Sequence, residues 1–215
     1  MKPKLYLFDL DGTLADSAPD LAAAVNHVRE SHGLEPLPFE PLRKVASSGA
    51  RGLLWVGFQV TPKDPEYEEY QEEFLKYYRE HLSDHPRLFP GIREVLEKIE
   101  NAHAHWGIVT NKNTNLTIPY LEAVGLRPET LVCGDTLDRK KPFPDPILHA
   151  LWELDIPGNE AIYAGDDLRD IQAAQAAGVT SAAVSWGYLG EGKPIEEWGA
   201  DYILKTPIEL LDIDL

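Results

Sequence analysis

Short apolar runs and helical stripes alternate along most of the chain. Leu5-Tyr6-Leu7-Phe8 is a continuous apolar run long enough for one buried strand. Comparable runs recur at Trp106-Gly107-Ile108-Val109, at 131–133, at 161–164, at about 181–185 and at 201–204. Between them lie helical patterns. Ile92, Val95, Leu96 and Ile99 share one face, another helix ends near Gly125, a third covers about 147–154, and a fourth runs on to Gly178. Strands alternating with helices predict right-handed crossovers and a parallel sheet covered on both faces.

One block breaks this rhythm directly after the first run. Residues 17–84 contain helical patterns and no strand. Ser17 reads as an N-cap with Asp20 in a capping-box-like position, and Leu21, Ala24, Val25 and Val28 follow at helical spacing. Gly33 and the prolines at 36 and 38 end that helix; further helices are expected over 39–46 and from about Ala50 to Phe58. The small-residue turn Ser47-Ser48-Gly49-Ala50-Arg51-Gly52 lies between them. From Asp64 to Leu82, Tyr70, Phe74, Tyr77 and Tyr78 form a stripe that reads as packing between helices. His81 and His85 are spaced i, i+4 but lack a third ligand, so they read as solvated histidines at a helix end. Trp55, Trp152 and Trp186 read as packing residues. The fold predicted is α/β: a doubly wound, Rossmann-like parallel-sheet core (1–16 and 85–215) with an inserted all-helical cap (17–84).

Composition narrows the partners. A formal charge of -16, from 36 acidic against 20 basic residues, argues against a nucleic-acid surface and against attraction to anionic membranes. Handling an anionic substrate would therefore require local cations. The only cysteine, Cys133, has no partner for an intrachain disulfide and sits in a strand-like run, where it reads as a small core residue. The N-terminal apolar run is too short for a signal peptide, and no stretch is long enough to span a bilayer. A cytoplasmic protein, acting as a monomer or homodimer on a small molecule, is expected.

The chemistry gathers at the strand ends. The first run leads into Asp9-Leu10-Asp11-Gly12-Thr13, and strand alternation predicts that Asp9 and Asp11 point the same way. Two such carboxylates repel unless a cation lies between them or one stays protonated. Thr110-Asn111 follows the second run, Lys141 opens Lys-Pro-Phe-Pro-Asp-Pro, and Gly165-Asp166-Asp167-Leu168-Arg169-Asp170 follows the strand at 161–164. In doubly wound sheets, ligands bind beyond the carboxyl ends of the strands. Asp9 and Asp166 could hold Mg²⁺, a hard cation that favours oxygen ligands, while Lys141, Thr110 and Asn111 could neutralise and hydrogen-bond phosphoryl oxygens. A carboxylate can also serve as the covalent nucleophile.

These four motifs, in this order, resemble those of the haloacid dehalogenase superfamily, and the resemblance spans essentially the whole chain. A helical cap directly after the first motif is similar to the phosphoglycolate phosphatase-like branch. Ser48-Gly49-Ala50-Arg51, Trp106 to Lys112, Gly165 to Ile171 and Trp198-Gly199-Ala200-Asp201 resemble its phosphoglycolate phosphatases and, more closely, its N-acetylmuramic acid 6-phosphate phosphatases. The resemblance implies a Mg²⁺-dependent phosphatase of a small phosphorylated metabolite. Asp9 would be the nucleophile and Asp11 the acid/base. Asp9, the Asp11 carbonyl and Asp166 would bind the metal, supported from behind by Asp170. Thr110, Asn111 and Lys141 would hold the phosphoryl group, and Arg51 on the cap would meet the rest of the substrate. Ser or Thr is more usual where this chain has Asp167, which leaves the metal's surroundings open.

Two other readings use the same carboxylates. A sugar phosphomutase of the β-phosphoglucomutase type would return the phosphoryl group to its substrate. A phospho-receiver domain would simply carry it, but has neither a helical insertion nor a use for Asp11. Carbon–halogen chemistry suits the Asp11 and Mg²⁺ pair poorly.

Overall fold

The structure, a computed structural model, describes residues 1–82, 84, 86–190 and 192–215. The apolar runs form six parallel strands: β1 (Leu5–Phe8), β2 (His105–Val109), β3 (Thr130–Val132), β4 (Ala161–Gly165), β5 (Thr180–Val184) and β6 (Tyr202–Leu204). Their spatial order is β3-β2-β1-β4-β5-β6. The chain first builds outward from β1 through β2 and β3, then returns to build outward through β4. The order therefore reverses between β1 and β4, where a crevice opens at the carboxyl ends.

Register puts the candidate chemistry at one level. Phe8 pairs with Ile108 on one side and with Ala164 on the other. The ladder continues one step, with the Asp9 amide donating to the Ala164 carbonyl and the Thr110 amide to that of Val132 (both 2.9 Å). Asp9, Thr110 and Asp166 thus leave neighbouring strands together.

Alternation along β1 divides the core. Tyr6 and Phe8 pack in one cluster with residues of α5 (Ile92–Asn101) and α6 (Thr114–Val124), whereas Leu5 and Leu7 join α7 (Asp145–Leu154) and α8 (Leu168–Ala177) on the other face. Four helices intervene between β1 and β2 before α5: α1 (Ala18–Ser31), α2 (Phe39–Lys44), α3 (Gly49–Phe58) and α4 (Tyr67–His81). They form the inserted helical cap. The second helix is shorter than expected, because a 3-10 turn at Ala46–Ser48 separates it from α3. The second predicted cap boundary, at 84/85, falls beside Ser83 and on His85, which lie outside the described residues; so does the predicted His81/His85 pair. His81 itself donates from Nδ1 to the Tyr77 carbonyl and stacks on the Tyr77 ring. No helix among the described residues is long and apolar enough to cross a membrane.

Three local expectations require correction. Ser17 precedes α1 but makes no capping hydrogen bond; its hydroxyl is turned to Asp11. The first helical amide is served from across the molecule, because the Tyr188 hydroxyl accepts from Ala18 N–H (2.9 Å). Trp55 and Trp152 are not packed but 50% and 76% exposed, since α3 buries Leu53, Leu54 and Gly57 and α7 buries Ile147, Ala150 and Leu151 instead. Trp186 does pack, with its ring N–H on the Thr13 carbonyl.

Removing the Tyr188 hydroxyl strands the buried Ala18 donor, so Tyr188→Phe should lower unfolding free energy by about 1–3 kcal/mol in urea titration with an unchanged slope. A loss within about 0.5 kcal/mol, typical of surface changes, would show that this long-range cap is dispensable.

Candidate active site

β1 ends at Phe8, so strand alternation does not extend to Asp9 and Asp11. A tight loop places them, with the Leu14 and Ala15 amides both donating to the Leu10 carbonyl (3.0 and 2.8 Å). Gly12 has φ +90, and a Cβ there would lie 2.1 Å from Asp166 Oδ2. Only glycine allows both that backbone and that approach. Among the described residues, no lysine pairs with both carboxylates. Each has its own lysine.

Lys141 serves Asp9. Its ammonium lies 2.8 Å from Asp9 Oδ1, 2.7 Å from Asp170 Oδ1 and 2.8 Å from the Tyr163 hydroxyl, which itself donates to the Val109 carbonyl. Burial works against the Lys141 charge, but Asp170 and Asp9 outweigh it and raise its pKa. Asn111, expected to contact phosphoryl oxygens, uses both ends of its amide on the Lys141 main chain: Nδ2 donates to the carbonyl (2.9 Å) and Oδ1 accepts from the N–H (3.1 Å). Thr110 is buried beside Asp9 in the cavity lining, and its oxygen accepts from Lys112 N–H (3.2 Å). That bond leaves the hydroxyl proton free to donate.

Asp9, Asp166 and Asp170 are all buried, with carboxylate oxygens within 4.8 Å of one another. Burial, reinforced by Asp9 and Asp170, holds the Asp166 carboxyl well above the usual range. Burial also raises Asp170, with Lys141 pulling the other way. Three carboxylates against one ammonium leave the cluster short of positive charge. Asp9 Oδ1 meets the Lys141 ammonium (2.8 Å), which it shares with Asp170. An all-oxygen group of three buried carboxylates with a surplus of negative charge fits a hard divalent cation. Asp170 adjoins this cluster with its Oδ1 held by Lys141 and Tyr163 and its Oδ2 by the Asp167 N–H.

Asp167 does not join the cluster. Its oxygens accept from the Arg169 amide and from both Nε and Nη2 of that guanidinium (2.8–2.9 Å). It also caps α8 in a reciprocal box with Asp170, which accepts from Asp167 N–H. Burial opposes its charge, but Arg169 prevails and lowers its pKa. Arg169 continues to the cap, donating to the Ser47 carbonyl (2.8 Å), while the Ser47 hydroxyl donates to Asp166 Oδ2 (2.9 Å).

Lys112 serves Asp11. Its ammonium donates to both Asp11 oxygens (2.9 and 3.2 Å) and to the Tyr78 hydroxyl on α4 (2.6 Å). Burial opposes this charge too, yet Asp11 and Tyr78 raise its pKa. The Tyr78 hydroxyl is pushed up to about 12, chiefly by burial. Sequence reasoning passed over Lys112 as a site residue, although it directly follows Thr110-Asn111. It also read Tyr78 only as packing and gave Tyr163 no role beyond its strand. A cavity of about 380 Å³ lies between sheet and cap, lined by Asp9, Asp11, Thr110 and Lys112 below and by Tyr78 and Arg51 above. Arg51 is exposed, in the first turn of α3.

Known proteins are similar to this chain in sequence and fold. The family model described as haloacid dehalogenase-like hydrolase matches residues 6–184. The N-acetylmuramic acid 6-phosphate phosphatase of Pseudomonas aeruginosa is 41% identical over 99% of this chain and 95% of its own. A phosphoglycolate phosphatase of Xanthomonas campestris is 42% identical over 97% of this chain and 95% of its own. The crystal structure of a predicted phosphoglycolate phosphatase from Haemophilus somnus 129pt superposes with a TM-score of 0.85 at 28% identity, covering 99% of this chain and 98% of that one. On sequence and fold, the chain belongs to the haloacid dehalogenase-like hydrolases.

Proposed function

We propose that this chain is a Mg²⁺-dependent phosphomonoesterase that hydrolyses a small phosphorylated metabolite through an aspartyl phosphate. The observation that carries the reading is Asp9: on the cavity wall, its Oδ1 paired with the Lys141 ammonium at 2.8 Å, and grouped with the buried Asp166 and Asp170. In the first step that carboxylate forms an O–P bond as the phosphorus–leaving-group bond breaks, and a proton on Asp11 passes to the departing alkoxide oxygen. In the second, Asp11 takes a proton from water as the water oxygen attacks phosphorus; the Asp9–phosphorus bond breaks and inorganic phosphate leaves.

Lys141 and the Thr110 hydroxyl would meet the non-bridging oxygens, while Asn111 keeps Lys141 in place through its main chain. Asp9, Asp166 and the Asp11 carbonyl, with Asp170 adjoining, would hold Mg²⁺. When bound, that ion neutralises phosphoryl charge and the surplus of carboxylates.

The relatives' names suggest two substrates, 2-phosphoglycolate and N-acetylmuramic acid 6-phosphate. Both carry a carboxylate in addition to the phosphate. Arg51, on the cap side of the cavity, is suited to that second anion. Phosphate release from a panel holding both compounds and several sugar phosphates, with Mg²⁺ and with EDTA, tests the reading. One clear, metal-dependent preference is expected, without any bisphosphate activator. No release, with a sugar phosphate converted to its isomer once a bisphosphate is added, would favour the mutase reading.

Asp9→Asn should reduce kcat on the order of 10⁴-fold while leaving far-ultraviolet circular dichroism unchanged; near-normal turnover would remove the nucleophile assignment. Independently of turnover, Mg²⁺ should raise the thermal midpoint by relieving repulsion among Asp9, Asp166 and Asp170. The gain should reach about 2.7 kcal/mol at a hundredfold excess over Kd. An unshifted midpoint at millimolar Mg²⁺ would argue against a metal at this cluster.

A further inference from the structure

We propose that Lys112 is a positioning residue for proton transfer, aiming the Asp11 carboxylate, and that Tyr78 ties this lysine to the cap. The inference rests on the phosphomonoesterase reading above and adds to it a pair of residues and a link between cap and chemistry.

Asp11 sits in a loop, and a lone carboxylate there would turn about its side-chain bonds. Three hydrogen bonds restrain it: two from Lys112, one to each oxygen, and one from Ser17 to Oδ1. Lys112 is itself restrained from three sides. Its side chain is 6% exposed, and its ammonium lies 4.8 Å from the Tyr78 ring centre and 5.4 Å from that of Tyr120. Its remaining donor goes to the Tyr78 hydroxyl. Tyr120 is anchored in turn, its hydroxyl donating to the Arg87 carbonyl (2.8 Å) and accepting from the Arg87 N–H (3.2 Å). The ammonium is therefore fixed where α4 of the cap, α6 of the core and the Asp11 loop meet.

This geometry assigns distinct jobs to two lysines, Lys112 on the cavity lining and Lys141 buried against Asp9. Lys141 touches Asp9 and Asp170, the attacking and metal-facing carboxylates. Lys112 touches neither; its acidic contact is Asp11. A shift of α4 away from the sheet would draw Tyr78 from Lys112 and loosen the restraint on Asp11. A seated cap thus completes the proton-transfer apparatus as well as enclosing substrate.

The effect should depend on the leaving group. An alkoxide needs the proton that Asp11 delivers, whereas p-nitrophenolate departs without one. The test compares wild type, Lys112→Met, Lys112→Arg and Tyr78→Phe on the preferred alkyl phosphate of the panel and on p-nitrophenyl phosphate. Lys112→Met should lower kcat on the order of 10²-fold with the alkyl ester but less than about tenfold with the aryl ester, KM changing little. Lys112→Arg should recover part of that loss. Tyr78→Phe, which removes one hydroxyl and keeps the ring, should show the same leaving-group contrast at smaller size. Equal losses on both esters, in Lys112→Met and Tyr78→Phe alike, would make these residues merely structural and overturn the proposal. A rise in KM with kcat maintained would make Lys112 a substrate-binding residue and overturn it equally. If wild type hydrolyses neither ester, the phosphomonoesterase reading falls first, and this inference with it.

Discussion

Burying like charges is the constraint on which this structure turns. Asp9, Asp166 and Asp170 lie within one small volume at the ends of β1 and β4, with Lys141 as the only ammonium in contact with them among the described residues. Desolvated carboxylates so arranged are costly unless each is hydrogen-bonded or neutralised. The surroundings reflect that cost. Tyr163 and Asn111 hold Lys141, while Thr13, Ser47 and the Tyr188 amide all donate to Asp166. What these donors leave unmet at Asp9 is the capacity that a metal ion and a phosphoryl group would use.

The sheet supplies the level and the loops supply the direction. Register alone brings the three strand ends together, but a strand end aims nothing by itself. Gly12 and Gly187 let backbone pass so close to Asp166 that a Cβ on either would clash with its side chain. The cap is then joined to this floor by polar contacts rather than by apolar packing alone. Arg43 donates to the Trp186 and Gly187 carbonyls, and Arg169 bridges Asp167 to Ser47. Such contacts are directional, so they favour one seating of the cap over others that would bury similar apolar area.

The strands were legible because buried parallel strands read as short apolar runs, and the helix ends because Gly33, Gly125 and Gly178 mark them. The carboxylates were legible because each follows a strand. Partnerships across the fold were not. Ser17 carries a good capping signal, yet a stronger acceptor, Asp11, lies six residues back and takes its hydroxyl. Asn111 looks like a ligand-binding amide, and nothing local shows that it also holds the main chain of Lys141, 30 residues on. Tyr78 lies in an aromatic stripe whose periodicity reports burial correctly, but burial does not show that its hydroxyl meets a lysine 34 residues later. Trp152 shows the reverse error: a large apolar residue need not be inside when its helix already has a sufficient inner face.

Separate lysines for Asp9 and Asp11 also bear on how the two carboxylates can act in sequence. A single ammonium shared between them would couple their charges, so that a phosphoryl group forming on one would draw the cation from the other. Here the Asp9 partner is held by residues of the sheet, and the Asp11 partner is held partly by α4. On the roles proposed above, the nucleophile's partner would belong to the core, while that of the proton-transfer group would depend on an element of the cap. Chemistry that needs a proton at one moment and must remove one at the next gains from that division. The attacking oxygen would keep its place while the acid/base environment would respond to the element that encloses the leaving group.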